Sequence, residues 1–184
     1  MNKAIFLDRD GTIIKDKGYI NKINNVSFYN YTFESLRKLQ KHYKLFLVTN
    51  QQGVSKGIIS LSELESIHNY ILETLLKEDI SIKKIYFCPH NADDNCVCRK
   101  PNTLFAELAK KEFSIDLSSS FVIGDHLSDS QFAINSGAKA IYLLTGHGRK
   151  HRNRIPVEML PNIIIKQNLK FAADFILKNY HNKA

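Results

Sequence analysis

The sequence predicts an α/β fold with a mostly parallel central sheet. Short apolar runs that end in polar residues alternate with longer segments of helical periodicity, which is the pattern of parallel strands connected by helices. The chain has 184 residues, of which 43% are hydrophobic, so it is large enough for one buried core. No internal repeat, low-complexity tract or Gly/Ser-rich linker marks a boundary. We therefore expect residues 1–184 to form a single domain without a large cap domain.

Five apolar runs are predicted to form the strands. They are Ala4 to Leu7, Leu45 to Thr49, Lys84 to Phe87, Phe121 to Ile123 and Ala140 to Leu144. Segments of helical periodicity separate these runs, as the crossover connections of a parallel sheet require. The expected architecture is a Rossmann-like three-layer sandwich with helices on the faces of the sheet.

Five further segments are predicted to form helices. The clearest follows Ser60, because apolar residues recur at helical spacing from Leu61 to Leu75 and Ser60 pairs with Glu63 as a capping box. Gly137 is well placed to end another helix. The remaining predicted helices are Thr32 to His42, Thr103 to Phe113, Asp129 to Ser136 and Leu169 to Asn179.

The composition restricts the location and the partners of the protein. The formal net charge is +8, but the lysines are scattered, which favours a solvated surface over a nucleic-acid partner or an anionic substrate. A local basic cluster at residues 149–154 could steer phosphates. Apolar runs such as Ile163 to Ile165 fall far short of the roughly 20 residues that span a bilayer, and Asp8 interrupts the first run too early for a secretory signal. We expect a cytoplasmic monomer that does not bind membranes.

Polar residues are concentrated where the predicted strands end, which is where open α/β sheets bind ligands. Asp8 and Asp10 are two apart on an extended segment, so both carboxylates can face one pocket. A divalent cation would relieve their repulsion, and Mg²⁺ prefers such oxygen ligands. The structural alternative is that both residues cap a turn before Gly11. The residues at the other strand ends are Thr49 and Asn50 at the second strand, Arg99 and Lys100 after the third, and Asp125 after the fourth.

This set of residue types is suited to hydrolysis of a phosphate ester. An Asp8 nucleophile would divide the reaction into two steps through an aspartyl-phosphate, and Asp10 would serve as the acid and then the base. Lys100 and Mg²⁺ would hold the phosphoryl oxygens, helped by the Thr49 hydroxyl and the Asn50 amide. Taken alone, Lys100 is more typical of a surface lysine.

All three cysteines fall in one short segment, where Cys88, Cys96 and Cys98 accompany His90. Three thiolates and one imidazole complete a tetrahedral zinc site with no open position for water, which indicates a structural ion. A chance cluster of reduced thiols and a catalytic zinc are the alternatives. Because the segment is short and polar, zinc would supply its ordering energy and would fix the direction of the neighbouring Arg99.

Four motifs together resemble the haloacid dehalogenase superfamily of phosphotransferases. They are Asp8-Arg9-Asp10-Gly11-Thr12, Thr49-Asn50-Gln51, Arg99-Lys100-Pro101, and Gly124-Asp125 with Asp129. The resemblance implies that Asp8 is the nucleophile, Asp10 the acid/base and Lys100 the charge stabiliser, which Asp129 orients. The implied magnesium ligands are Asp8, the backbone carbonyl of Asp10, and Asp125.

The zinc loop resembles the branch of this superfamily that contains heptose-bisphosphate and histidinol-phosphate phosphatases. Membership would imply a small phosphorylated sugar as substrate, release of the 7-phosphate of the heptose, and histidinol phosphate as the alternative. In the heptose enzymes the corresponding arginine, here Arg99, recognises the second phosphate, as a guanidinium fork can. The other implied substrate contacts are Asp16, Lys17, Gly18, Tyr19, Gln51 and Gln52.

Two departures from the heptose enzymes leave the substrate open. Asn102 and Thr103 follow Pro101 where many of the heptose enzymes carry a Pro-Gly-Met-like stretch. His126 follows Asp125 where a lysine is frequent. A nucleic-acid-binding zinc protein and a polynucleotide 3′-phosphatase are weaker alternatives, because the chain lacks interleaved aromatic platforms and its carboxylates would repel phosphates without magnesium. A receiver-type signalling domain would leave the zinc loop without a role.

Overall fold

The computed structural model describes residues 1–180 and contains one six-stranded sheet, which confirms the predicted α/β class. All neighbouring strands are parallel, in the order β3-β2-β1-β4-β5-β6. The sequence order of the strands reverses between β1 and β4, which places a ligand crevice at their carboxyl ends. The strands are β1 (Ala4–Leu7), β2 (Lys44–Asn50), β3 (Ile82–Cys88), β4 (Phe121–Gly124), β5 (Lys139–Leu143) and β6 (Ile163–Lys166).

The sixth strand is a correction to the five predicted from sequence. β6 pairs with β5 at the edge of the sheet, from Ala140 opposite Ile163 to Leu143 opposite Lys166. Its four residues have no polar alternation and follow a turn that contains Pro161. Three consecutive isoleucines favour a strand, but so short an apolar run cannot be assigned by periodicity alone, and pairing with β5 defines it.

The predicted helices are all present, with boundaries shifted by one or two residues. The capping box of the second helix is formed, because Glu63 N donates to Ser60 Oγ at 3.1 Å and Ser60 N donates to Glu63 Oε2 at 2.7 Å. Within residues 1–180, no helix combines the length and the apolar character needed to cross a membrane. The helices are α1 (Thr32–Gln40), α2 (Leu61–Lys77), α3 (Leu104–Phe113), α4 (Leu127–Ser136), α5 (Gly148–His151) and α6 (Leu169–Tyr180).

Helices cover both faces of the sheet, as the three-layer prediction requires. In β1, Ile5 and Leu7 face a core shared with α1, α2 and α6. Phe6 faces the opposite core, which contains residues of α3 and α4. Since both faces are buried, the strands are almost continuously apolar until the residue at which they reach the carboxyl edge. The residues that follow β1, β2 and β4 are polar, so the fold gathers their side chains at the carboxyl edge.

Candidate active site

A pocket of about 410 Å³ lies at the carboxyl edge of the sheet. Of the predicted site residues, Lys17 does not line it and is exposed, and Asp125 is fully buried next to it. The predicted residues that line the pocket are Asp8, Asp10, Asp16, Gly18, Tyr19, Thr49, Asn50, Gln51, Gln52, Arg99, Lys100 and Asp129. The fold thus gathers residues that are as far apart in sequence as Asp8 and Asp129.

Lys100 lines this pocket and is buried. Its Nζ lies 2.6 Å from Asp8 Oδ1 and 2.6 Å from Asp129 Oδ1, and it also donates to the carbonyl of Val48. Burial opposes the charged form, but Asp129 and Asp8 outweigh it and hold the pKa of Lys100 above its usual value. The ammonium group is therefore charged and fixed beside the Asp8 carboxylate.

The backbone of Lys100 is held by the side chain of Asn50. Lys100 N donates to Asn50 Oδ1 at 3.0 Å, and Asn50 Nδ2 donates to the Lys100 carbonyl at 3.2 Å. Both polar atoms of the amide are thus engaged with the main chain. In this arrangement Asn50 positions Lys100, while its predicted contact with the phosphoryl group stays a prediction.

Three carboxylates crowd one side of the pocket. Oxygens of Asp8, Asp125 and Asp129 all lie within 4.8 Å of one another. Burial raises the pKa of Asp8 to about 7, and burial together with the Asp8 charge raises that of Asp125 to about 9. Asp125 Oδ1 is buried and accepts no hydrogen bond from the described residues. A hard divalent cation suits this set, because it would relieve the repulsion and take up the unpaired oxygen.

The loops around Asp125 leave no room for side chains at two glycines. Gly11 and Gly146 both have positive φ, +79° and +48°, and a Cβ atom at either would overlap the Asp125 carboxylate. Asp125 Oδ2 accepts a hydrogen bond from the backbone N–H of His147 at 2.7 Å. The carboxylate is therefore held in one orientation by the backbone that encloses it.

The cysteines and His90 form a second cluster that could hold a metal ion. Cys88 Sγ lies 3.5 Å from Cys96 Sγ and 3.6 Å from His90 Nδ1, and Cys98 Sγ lies 3.7 Å from Cys96 Sγ and 3.3 Å from His90 Nδ1. Tetrahedral zinc with ordinary bond lengths would separate two sulfurs by about 3.8 Å and sulfur from nitrogen by about 3.6 Å. The donor types and the spacing both fit such an ion.

The Cys/His loop, residues 88–98, is connected to the wall of the pocket. Arg99 Nη1 donates to the carbonyl of His90 at 3.0 Å, and Asn102 Nδ2 donates to the carbonyl of Cys96 at 2.7 Å. Arg99 lines the pocket. The direction of its guanidinium therefore depends on the order of the Cys/His loop.

The segment after β1 and the residue before α5 also line the pocket. His147 Nε2 lies 2.8 Å from Asp16 Oδ2, and Lys56 Nζ donates to Tyr19 Oη at 2.9 Å. His126 also lines the pocket, with its ring centroid 4.9 Å from that of His147. Within the basic cluster at residues 149–154, His151 stacks on His147, with ring centroids 5.1 Å apart.

Sequence reasoning missed Arg9, His68 and Ser128. Ser128 lines the pocket, whereas Arg9 is a buried partner of Asp10 and His68 is a buried partner of Arg9. One signal was present: His68 interrupts the apolar face of α2 next to Ile67, and a polar residue there needs a buried partner. Arg9 itself was read only as part of the first motif.

Comparison with known proteins agrees with this arrangement. A HAD-hydrolase-like family model matches residues 97–167. The chain is 39% identical to the D-glycero-beta-D-manno-heptose-1,7-bisphosphate 7-phosphatase of Helicobacter pylori strain J99, over 95% of this chain and 97% of that protein. It is 42% identical to the corresponding alpha enzyme of Campylobacter jejuni, over 77% of this chain and 82% of that protein.

A solved structure extends the likeness to three dimensions. The D,D-heptose 1,7-bisphosphate phosphatase of B. bronchiseptica, crystallised with magnesium and phosphate, superposes with a TM-score of 0.86. It is 27% identical and the match covers 96% of this chain and 98% of that one. Because the Helicobacter pylori relative is 39% identical over 95% of this chain, the chain belongs to the D-glycero-D-manno-heptose-1,7-bisphosphate 7-phosphatase family of the haloacid dehalogenase superfamily.

Proposed function

We propose that the protein is a magnesium-dependent phosphatase that hydrolyses the 7-phosphate of D-glycero-D-manno-heptose 1,7-bisphosphate. The observation that carries this proposal is the buried Lys100, held at 2.6 Å from both Asp8 and Asp129 at the carboxyl edge of the sheet. A fixed cation beside a carboxylate is what transfer of an anionic phosphoryl group to that carboxylate requires. The names of the relatives support the choice of heptose bisphosphate.

In the first step, a carboxylate oxygen of Asp8 attacks the phosphorus atom. The bond between phosphorus and the sugar oxygen breaks, and Asp10 gives its proton to that oxygen as the alcohol leaves. Lys100 lies beside Asp8, so its charge stabilises the phosphoryl oxygens during transfer. The product of this step is an aspartyl-phosphate on Asp8 and the free sugar hydroxyl.

In the second step, water replaces the sugar. Asp10 removes a proton from the water molecule, which attacks phosphorus and releases inorganic phosphate from Asp8. Asp10 regains the proton it gave up, and Asp8 returns as a carboxylate. Thr49 Oγ1 lies in the pocket and accepts a hydrogen bond from Gln51, which leaves its own proton to donate to the phosphoryl group.

Residues Asp8 and Asp125, with the backbone carbonyl of Asp10, would hold the magnesium ion. When bound, Mg²⁺ supplies positive charge that offsets the repulsion between the carboxylates and the incoming phosphate. Burial, followed by the charge of neighbouring carboxylates, raises the pKa values of Asp8 and Asp125, and a bound cation would favour their ionised forms. Asp129 is directed at Lys100 and serves to orient it.

The Cys/His loop would bind zinc in a structural role, because its four donors complete a tetrahedron. Its contribution to activity is to aim Arg99 at the second phosphate of the substrate. Asp16, Gly18 and Tyr19 face the same pocket and are proposed to contact the sugar. Gln52 supports Tyr19, since its Nε2 lies 3.4 Å from Tyr19 Oη.

The test is a phosphate-release screen with added Mg²⁺. The substrates are both anomers of the heptose 1,7-bisphosphate, histidinol phosphate, and an oligonucleotide with a 3′-phosphate. We expect the highest kcat/KM with one anomer of the heptose bisphosphate. Phosphorus NMR of the product should show that the 1-phosphate is retained.

Faster turnover of histidinol phosphate would refute the proposed substrate while keeping the reaction type. Release from the oligonucleotide alone would point to nucleic-acid repair. No release from any substrate would refute the phosphatase assignment itself.

A further inference from the structure

We infer that Arg9, supported by His68, is a positioning residue that reserves the Oδ1 atom of Asp10 for proton transfer. The inference rests on the proposed function, in which Asp10 is the acid and base. Neither Arg9 nor His68 lines the pocket, so both act through Asp10.

Arg9 is a fully buried cation directed at a single oxygen. Its side chain is 1% exposed, and its Nε and Nη2 lie 2.9 Å and 2.8 Å from Asp10 Oδ2. Gln51 Nε2 donates to the same oxygen at 3.0 Å. Three donors therefore converge on Oδ2.

Asp10 Oδ1 has the opposite environment. It is buried, belongs to a residue that lines the pocket, and accepts no hydrogen bond from the described residues. A carboxylate offers about two lone-pair sites on each oxygen, so three donors saturate Oδ2 and leave no place there for a proton. The proton that passes to the leaving alcohol, and later comes from water, must reside on Oδ1.

His68 fixes the far side of the guanidinium. Arg9 Nη1 lies 3.1 Å from His68 Nε2, and since an arginine can only donate, His68 Nε2 must carry the lone pair. Burial, followed by the charge of Arg9, lowers the pKa of His68 to about 3, so the ring stays neutral. The ring packs edge-on against Phe87 of β3, with centroids 5.5 Å apart. His68 is thereby held as a rigid acceptor.

Stability alone does not account for this arrangement. Moving an ion pair out of water costs several kcal/mol per ion, and apolar side chains of similar volume commonly give equal or greater stability. What the buried pair provides is one fixed orientation of the Asp10 carboxylate. Proton transfer depends on such orientation, because misplacement by about 1 Å can lower a rate about 10²-fold.

The test compares two substrates that differ in their need for an acid. The sugar alcohol must be protonated as it leaves, whereas p-nitrophenolate leaves without a proton. For Arg9→Met, kcat/KM on the heptose bisphosphate should fall about 10²-fold, and kcat/KM on p-nitrophenyl phosphate less than about threefold. Because kcat/KM reports the steps up to formation of the aspartyl-phosphate, the later hydrolysis step does not affect the comparison. An equal fall on both substrates, or no fall on either, would overturn the inference.

Asp10→Asn separates this inference from the proposed function on which it rests. It should show the same selective loss on the sugar substrate. If Asp10→Asn is selective and Arg9→Met is not, the role of Arg9 is wrong and that of Asp10 stands. If Asp10→Asn is not selective, the acid role itself is wrong, and the inference falls with it. Arg37→Met, at an exposed surface arginine, is the matched control and should leave both values unchanged.

A pair of His68 variants keeps the inference testable if Arg9→Met does not fold. His68→Leu removes the acceptor for Arg9 Nη1 and should lower kcat/KM on the sugar about 10-fold with little change on the aryl phosphate. His68→Gln restores an acceptor oxygen and should recover most of that loss. Equal values for the two variants would contradict a positioning role for His68.

Discussion

The pocket and the Cys/His loop are both clusters of ionisable side chains, but the chain assembles them in different ways. The pocket joins Asp8 to Lys100 across 92 positions of sequence, and both side chains are buried. The Cys/His loop takes all its donors from residues 88–98, and two of them, His90 and Cys96, are only partly buried. One site is positioned by the sheet, and the other by local chain geometry.

This difference determines what each site needs from a metal ion. The carboxylates of the pocket are held by strands, a helix and backbone hydrogen bonds, so the site keeps its shape and a cation changes mainly its charge. The Cys/His loop contains one short helical turn, Ala92–Asp94, and residues 92–95 are exposed. Metal binding there would supply ordering free energy. Loss of metal should therefore alter charge in the pocket and structure in the loop.

The largest expected effect comes from Asp8→Asn in the pocket. Loss of the nucleophile should lower kcat by more than about 10⁴-fold, since no neighbouring group can form the phosphorylated intermediate. The fold should persist, because the amide has the same shape and one buried negative charge is removed. Phosphate release and a thermal unfolding curve measure the two quantities. Retained turnover would exclude Asp8 as the nucleophile, and an unfolded variant would show that the pocket is not positioned by the sheet alone.

Cys98→Ser tests the role of the Cys/His loop. We expect loss of the bound zinc ion and a fall of about 10-fold in kcat/KM for the bisphosphate, because Arg99 loses its fixed direction. A substrate with a single phosphate should be affected less, since it has no second phosphate for Arg99 to bind. Metal analysis together with kinetics on both substrates measures this.

Val97→Ala is the matched control for this prediction. Val97 stands between two of the cysteines but is 71% exposed, so its truncation should leave zinc content and activity unchanged. If Cys98→Ser loses zinc and keeps full activity on the bisphosphate, the Cys/His loop does not direct Arg99.

The response to Mg²⁺ at different pH values is a smaller effect that belongs to the pocket. The pKa of Asp8 is raised to about 7 and that of Asp125 to about 9, above the ordinary value of 3.8, so the folded protein keeps protons that the unfolded chain has lost. The free energy of unfolding of metal-free protein should therefore decrease as pH rises from about 4 towards about 9. Mg²⁺ binds the deprotonated carboxylates, so it should raise Tm more at pH 8.5 than at pH 6, by about 3 °C or more.

Calorimetry at the two pH values, with KCl at matched ionic strength as the control, checks this prediction. Asp125→Asn should remove most of the pH dependence and most of the Mg²⁺ effect. A Tm increase that is equal at both pH values would show that the carboxylates are ionised without the cation.

The features predicted most accurately from the sequence are those that depend on a local pattern. The capping box of Ser60 and Glu63, the strand β1 and the four donors of the Cys/His loop each lie within a short segment, where periodicity or spacing alone is informative. Most of the pocket residues were also found, since the ends of parallel strands share one edge. The strand β6 was missed because its definition comes from pairing with β5.

The contacts that could not be predicted are those that individual side chains make with distant parts of the chain. The contact of Asn50 with the phosphoryl group stays a prediction, but the two hydrogen bonds of its side chain to the backbone of Lys100 were not foreseen. Arg9 and His68 meet across 59 positions of sequence, on a strand end and a helix. Only the packing of α2 against the sheet brings them together, so residue types by themselves could not reveal the pair.

The smallest expected effect concerns the hydrogen bonds between the turn after β2 and the Cys/His loop. Ser55, in the turn after β2, accepts a hydrogen bond from Asn91 Nδ2 at 2.8 Å and donates to Asp94 Oδ2 at 3.2 Å. Ser55→Ala removes both exposed bonds to the Cys/His loop, a loss of about 1 kcal/mol, so the Kd for zinc should rise about fivefold.

Competition with a chromogenic chelator measures that Kd, and Ser66→Ala is the matched control because Ser66 bonds only within α2. kcat with saturating zinc should not change, since the pocket keeps its own support from the sheet. A fall in kcat for Ser55→Ala with zinc bound would show that the turn after β2 transmits the order of the Cys/His loop to the reacting groups, and the two regions would then be one mechanical unit.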